Sequence, residues 1–94
     1  MPRPFKRRRI RGKPNSNYFK PAGIRKIELE ETELNLSEFE AIRLIDLNQT
    51  PQEQAAEKMQ ISQPTLSRIL SSARKKIADA IINGKAINII KENN

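Results

Sequence analysis

Three polar side chains, those of Gln63, Ser67 and Arg68, lie at helical spacing near the start of a long amphipathic segment. In a DNA major groove a glutamine amide bonds adenine, an arginine guanidinium bonds guanine, and a hydroxyl serves either base. These residues are the candidate base readers, with Pro64 beside them at the helix tip. The neighbours better placed for phosphate oxygens, which fix register without reading sequence, are Thr65, Ser71, Arg74 and Lys75.

The chain holds few groups suited to catalysis. It has no histidine, the commonest general base and metal ligand, and no cysteine to act as a nucleophile or thiolate ligand. Glu38, Glu40 and their acidic neighbours have the spacing of solvated faces and helix caps, and no glycine-rich phosphate loop accompanies them. We therefore expect no enzymatic activity, no cofactor and no metal site.

Residues 50–70 have the pattern of two helices joined by a short turn. Thr50 and Glu53 are spaced as a capping box, with a proline at the first helical position. The apolar periodicity then ends, and Ser62 is a second N-cap residue. Its hydroxyl can accept a hydrogen bond from a backbone N–H of the following turn. This pattern is typical of a helix-turn-helix, with a recognition helix over about 63–83.

The apolar positions agree with such a helix pair. One residue departs from the motif: Gln60 stands where these turns usually have glycine for a positive φ angle, which glutamine can adopt only at some cost. Amphipathic helix pairs also occur in small proteins that bind no nucleic acid, which leaves a purely structural pair as the alternative. The residues expected to face the core are Ala55, Ala56, Met59, Ile61, Leu66, Ile69, Leu70, Ala73, Ile77 and Ile81.

The charge distribution favours a polyanion-binding protein. The net charge of +7 divides into +10 over residues 1–26, −7 over 27–58 and +4 over 59–94. A basic arm and a basic long helix thus flank an acidic scaffold, which we expect to face away from the phosphates. No apolar run approaches the roughly 20 residues of a membrane span, and no secretory signal precedes the arm, so we expect a cytoplasmic, nucleoid-associated protein.

Residues 1–20 are predicted to form a mobile basic arm. Prolines and Gly12 interrupt any helix, and apolar residues are too few to build a core. Arginine-rich arms reach into a minor groove or along an RNA backbone. A solvated tail that only raises solubility is the alternative. The candidate nucleic-acid contacts in the arm are Arg7, Arg8, Arg9 and Arg11.

Tyr18 and Phe19 beside Lys20 allow two interpretations. Aromatic side chains interleaved with basic ones stack the bases of single-stranded nucleic acid. Alternatively, the two adjacent aromatics pin the arm to the core. We favour the second interpretation, because the chain has only four aromatic residues and they form no evident stacking platform.

A third helix is predicted over residues 37–47, where Ser37 and Glu40 have capping-box spacing. Residues 27–36 alternate in the manner of a strand, which the stretch 8–11 could pair with in a short ribbon. The residues of the third helix expected to face inward are Phe39, Ile42 and Ile45, with Leu44 less clearly so.

The C-terminal end has its own signals. Gly84 follows the long helix as a residue suited to a left-handed helix end. Residues 86–90 are too apolar for a free tail, so they either dock as a short strand or cover a dimer partner.

Five dissimilar sequence segments, taken in their order along the chain, carry a family resemblance: MPRPFKRRRI, YFKPAG, LSEFEAIRLIDL, EQAAEKMQISQPTLSRIL and SARKKIADAIINGKAI. Over about residues 2–90 they resemble an uncharacterised prokaryotic family of small predicted DNA-binding proteins, domain of unknown function 134. Its motif is similar to region 4 of sigma factors. The resemblance implies a helix-turn-helix nucleic-acid binder. Relatives often carry cysteines in the arm; this chain has none, so no metal or redox role is implied for it.

These patterns predict a mainly α protein, with a basic arm over 1–20, a helix-turn-helix domain similar to sigma region 4 over 21–94, and a short β element. The predicted function is sequence-specific binding of double-stranded DNA by a transcriptional regulator. An RNA-binding or ribosome-associated protein that uses the arm is an alternative, as is a sigma-like adaptor that contacts RNA polymerase. A homodimer is a further open expectation.

Overall fold

The computed structural model describes residues 9–90. The described residues form three helices and a three-stranded sheet, with the first and third helices packed against the sheet. The helices are α1 (Leu36–Ala41, continuing as a π-helical turn over Ile42–Leu47), α2 (Gln52–Met59) and α3 (Gln63–Asn83). The strands are β1 (Tyr18–Phe19), β2 (Glu31–Asn35) and β3 (Ala86–Ile90), with a 3-10 turn over Lys26–Glu28. Within residues 9–90, no helix combines the length and apolar character that crossing a bilayer demands.

The long helix has the predicted bounds. The Ser62 hydroxyl accepts the Thr65 N–H at 3.2 Å, and Gly84 ends α3 with a φ of 68°. The predicted core stripe holds as far as Ile77 but is wrong in the last turn, where Ile81 is exposed and Ala80 is buried. The chain folds back at this point, and Lys85 donates its backbone N–H to the Ala80 carbonyl.

The sheet differs from the predicted ribbon. The strand expected at 27–36 is the shorter β2, and it pairs in parallel with β3, not with residues 8–11. Strand β3 occupies the centre of the sheet, with β1 antiparallel on its other side. Of the two alternatives left open for residues 86–90, the structure shows the first, docking as a strand. Leu34 and Ile89 are opposite one another in the register and pack with Ala73 of α3.

Two predicted helix caps are wrong. Helix α1 begins earlier than expected, because β2 runs directly into it and Asn35 is its N-cap. Asn35 and Glu38 form the capping box by exchanging hydrogen bonds of 2.9 and 3.0 Å. Thr50 does not cap α2; the N-cap is Pro51, and the Thr50 N–H bonds the Leu44 carbonyl at 2.8 Å.

The principal core lies between α1, α2 and α3. Its buried members are Ala41, Leu44, Ala55, Ala56, Met59, Leu66 and Leu70. The small alanines lie at the predicted positions on α2, and the side chains of Met59 and Leu66 are fully enclosed. Leu44 is more deeply buried than Phe39, Ile42 and Ile45, which pack around the two core clusters as partly buried residues. This core fixes α2 against the first half of α3.

We predict that Leu66→Ala lowers the free energy of unfolding by about 2–5 kcal/mol, because it removes a fully buried side chain and leaves a cavity. Ile82→Ala on the same helix is the control, since Ile82 is 79% exposed. Thermal and urea unfolding of both variants measure the difference. An equal loss of stability in the two variants would contradict the packing described here.

Candidate nucleic-acid interface

The turn between α2 and α3 is tight and backbone-bonded. Gln60 ends α2 in the left-handed region, with φ 59° and ψ 45°, which confirms the predicted positive φ. A non-glycine residue bears a steric cost of about 1–2 kcal/mol in this region. Two backbone bonds of 3.1 Å, from Gln60 to Glu57 and from Ile61 to Ala56, hold the turn. The start of α3 is therefore fixed relative to α2.

Polar and basic side chains follow one exposed side of α3. We call this set the α3 face; it consists of Gln63, Pro64, Ser67, Arg68, Ser71 and Lys75, all exposed. The face spans about 18 Å along the helix axis. Thr65 is half-buried and bonds Ser62 through both its N–H and its hydroxyl, so it belongs to the cap and offers less to a ligand.

Arg74 has a partner within the protein. Its guanidinium donates to both carboxylate oxygens of Asp46, at 2.7 and 3.2 Å. The hydrogen bond to Arg74 lowers the pKa of Asp46, and the same bond raises the pKa of Arg74. Arg74 therefore ties α3 to the end of α1, whereas the sequence placed it among the phosphate-contacting residues.

The basic segment is attached to the core from residue 9 onward. The Arg9 N–H bonds the carbonyl of Met59 at 3.1 Å, so the chain passes the end of α2 just before the turn. The side chains of Arg9 and Arg11 are exposed, while the Arg11 backbone is bonded to α1. The sequence predicted a mobile arm over residues 1–20, whereas the structure bonds the backbone of Arg9, Arg11 and Gly12 to the helices. Arg7 and Arg8 lie outside the described residues.

Glu40 is the group that holds this segment. Its carboxylate accepts the backbone N–H groups of Arg11 and Gly12, both at 3.1 Å, and two bonds from Arg43 at 2.8 and 2.9 Å. The side chain is 1% exposed, so the expectation of a solvated face was wrong. Burial by itself raises the pKa of Glu40, but these four hydrogen bonds and the Arg43 charge outweigh it and lower the pKa.

Glu38 holds α3 against α1 by hydrogen bonds, as Glu40 holds the basic segment. Its carboxylate, also buried, accepts the Ser72 hydroxyl at 2.5 Å and the Lys76 ammonium at 2.9 Å, besides the capping bond from Asn35. Burial raises the pKa of Glu38, and the bonds to Ser72, Lys76 and Asn35 more than offset it, so the pKa is lowered. Ser72 is exposed on α3, and its hydroxyl bonds Glu38 of α1. The hydroxyl of Ser37 is buried and has no hydrogen-bond partner among residues 9–90.

The ion pairs decide which cations remain for a ligand. Within residues 9–90, Arg25, Arg43, Arg74, Lys76 and Lys85 are paired with carboxylates. In the same range, Arg9, Arg11, Arg68 and Lys75 make no ion pair. Within the described residues, the α3 face thus keeps Arg68 and Lys75 without ion-pair partners, and the segment that passes the end of α2 keeps Arg9, Arg11 and Lys13. Other cations of this range without ion pairs are Lys20, Lys26 and Lys58. Such a surface can bind phosphates and present an amide, a guanidinium and hydroxyls to base edges.

Tyr18 and Phe19 were expected to pin the arm to the core with their side chains, but they attach it through strand pairing. They form strand β1 and pair with β3, so backbone bonding fixes them, and Phe19 is 51% exposed. The Tyr18 hydroxyl donates to Glu31 at 2.7 Å, and this bond raises the pKa of Tyr18 to about 12. The Lys26 ammonium lies 4.6 Å from the ring centroid of Tyr18. Tyr18 is therefore engaged within the protein.

The chain belongs to a family described as "Protein of unknown function DUF134", whose model matches residues 1–94. A UPF0251 protein of Caldanaerobacter subterraneus is 55% identical over 89 residues, which cover 95% of this chain and 75% of the relative. UPF0251 proteins of Thermoanaerobacter pseudethanolicus and Clostridium botulinum are each 52% identical over 95% of the chain, covering 75% and 57% of their lengths. No solved structure matches this chain. The family names specify no ligand.

We predict that Gly12→Ala destabilises the protein by about 1–3 kcal/mol, through lost charge-assisted bonds. A Cβ at residue 12 would overlap the Arg43 side chain and press on Glu40, so their paired geometry must open. Asn15→Ala, an exposed change in the same segment, should stay within about 0.5 kcal/mol of the parent. Chemical denaturation measures both. Equal stabilities for the two variants would show that the segment does not depend on this close approach.

Proposed function

We propose that this protein binds double-stranded DNA sequence-specifically, as a transcriptional regulator in the cytoplasm, with α2, the turn and α3 acting as a helix-turn-helix similar to sigma region 4. The observation that carries the proposal is the α3 face: Arg68 and Lys75 are exposed without ion-pair partners in the described chain, on the helix that follows the tight turn. A recognition helix enters the major groove with its N-terminal residues toward the bases.

Base reading falls to the first turns of α3. Gln63 is the first residue of the helix, and Ser67 and Arg68 follow one turn later on the same exposed side. Lys75 lies about 10 Å farther along the axis than Arg68, since each residue adds about 1.5 Å. We therefore assign Gln63, Ser67 and Arg68 to base edges, and Ser71 and Lys75 to phosphates.

The basic segment adds a second point of attachment. The Arg9 N–H bonds Met59, the last residue of α2, which lies four residues before the start of α3. The sequence before Arg9 contains Arg3, Lys6, Arg7 and Arg8. Arg9, which is held at this end of the helix pair, would reach the phosphates or the minor groove next to the site that α3 reads. Neutralising phosphates in this way strengthens binding to any duplex and makes it salt-dependent.

The test pairs two substitutions that remove the same charge. Arg68→Ala should relax the preference at one or two base positions and weaken binding to the selected site by about 1–3 kcal/mol. Lys75→Ala should weaken binding evenly across sequences, because a phosphate contact carries no base information. A selection from random duplex DNA, followed by specificity profiles of both variants at one salt concentration, makes the comparison.

Three results would contradict the proposal. Uniform losses in both variants, with base preferences intact, would make the α3 face an electrostatic platform only. Selection of a parallel RNA pool with equal or greater retention would favour an RNA-binding protein that uses the basic segment. The absence of any enriched duplex motif would exclude a sequence-specific regulator.

A further inference from the structure

Arg74 lies beside the α3 face, although its charge is paired. It follows Gln63 by 11 residues, which is three helical turns plus about 20°, so the two side chains leave α3 in nearly the same direction. Ser67 projects in this direction too, about 10 Å from Arg74 along the axis. The Arg74 side chain is 54% exposed. Arg74 thus joins Arg68 and Lys75 as a cation on the side of α3 that we assign to DNA.

The pair of Arg74 with Asp46 is more exposed than the other ion pairs of α1 and its π-helical turn. The side chains of Glu38 and Glu40 are 5% and 1% exposed, so separating either from its cation would leave a buried charge without a partner. The Asp46 side chain is 36% exposed, and within residues 9–90 its carboxylate accepts hydrogen bonds only from Arg74. Water can replace Arg74 there, so this pair opens at little cost.

Asp46 and a DNA phosphate offer Arg74 the same kind of contact. The guanidinium donates from Nε and from one Nη atom to the two carboxylate oxygens, at 3.2 and 2.7 Å. Two phosphate oxygens accept from an arginine in the same parallel geometry. These two donors cannot serve the carboxylate and a phosphate at once. The carboxylate of Asp46 also adds a negative charge beside the α3 face, which repels phosphates.

We propose that Asp46 competes with DNA for Arg74: it holds the guanidinium in the unbound protein, and a phosphate of the duplex replaces it in the complex. The inference rests on the proposed function and adds to it a residue that opposes binding. Duplex DNA on the α3 face must displace the carboxylate before Arg74 contributes. Because a phosphate contact carries no base information, Asp46 lowers the affinity for every duplex alike.

The test is a double-mutant cycle in the full chain, measured as the dissociation constant for a short mixed-sequence DNA duplex. Asp46→Asn keeps the size of the side chain and removes its charge. This change should lower the dissociation constant by a factor about two- to fivefold larger in the parent than in Arg74→Ala, because only the parent has the pair to lose. Arg74→Ala alone should reduce the slope of log affinity against log salt by about 0.9, the value for one phosphate contact.

Glu57→Gln is the matched control for loss of charge. Glu57 is exposed on α2 and makes no ion pair within residues 9–90, so its substitution removes one negative charge without releasing a cation. Its effect on the dissociation constant should be the same in the parent and in Arg74→Ala. Circular dichroism confirms that each variant is folded.

Equal gains from Asp46→Asn in the two backgrounds would overturn the proposal. A salt slope that Arg74→Ala leaves unchanged would do so as well, because Arg74 would then keep its carboxylate partner in the complex. The duplex carries no selected sequence, so a protein that binds DNA without base preference would pass this test and fail the selection. A parent with no affinity for the duplex at low salt would contradict both proposals.

Discussion

The buried carboxylate of Glu40 constrains the rest of the structure more than any other group described. An ionised carboxylate removed from water loses several kcal/mol of hydration unless hydrogen bonds and a counter-charge replace it. Arg43 supplies the counter-charge from the next turn of α1, and the backbone of Arg11 and Gly12 supplies two more donors. The basic segment must therefore cross α1 at this point, with glycine where the backbone comes closest.

Glu38, two residues earlier, applies the same constraint to α3 through Ser72 and Lys76. Helix α1 thus holds the basic segment with one carboxylate and the long helix with another. Carboxylates of α1 and its π-helical turn neutralise three cations, Arg43, Arg74 and Lys76. By contrast, Arg68 and Lys75 make no ion pair within residues 9–90, and neither do Arg9 and Arg11. The proposed DNA surface follows from this division, since Arg68 and Lys75 keep their charges free of carboxylates within the described residues.

Local signals predicted the parts of the fold that local interactions determine. The bounds of α3 follow from the Ser62 cap, a periodic apolar stripe and Gly84, and the positive φ of Gln60 follows from its place in the turn. The α3 face also follows from periodicity, because a residue opposite a core stripe is exposed wherever the helix packs on one side only. The exposure of all six residues of this face was therefore predictable from the sequence alone.

Long-range pairing could not be predicted in this way. Glu38 and Glu40 alternate with Phe39 like solvated residues. Besides the local donors Asn35 and Arg43, their donors lie 28 to 38 residues away, so the local pattern does not indicate that these carboxylates are buried. The parallel pairing of β2 with β3 joins segments separated by all three helices. The sequence-based ribbon instead used the nearest available stretch. The pairing of Arg74 with Asp46 was missed for the same reason.

The dependence of the basic segment on Glu40 is tested most directly by amide hydrogen exchange in the full chain carrying Glu40→Gln. This change keeps the size of the side chain but removes the charge and one of the two acceptor oxygens. Exchange at the Arg11 and Gly12 amides should become at least about tenfold faster, corresponding to about 1.4 kcal/mol of lost protection, while the Leu70 amide in the core keeps its rate. Unchanged exchange at Arg11 and Gly12 would show that other contacts hold the segment and would contradict this account.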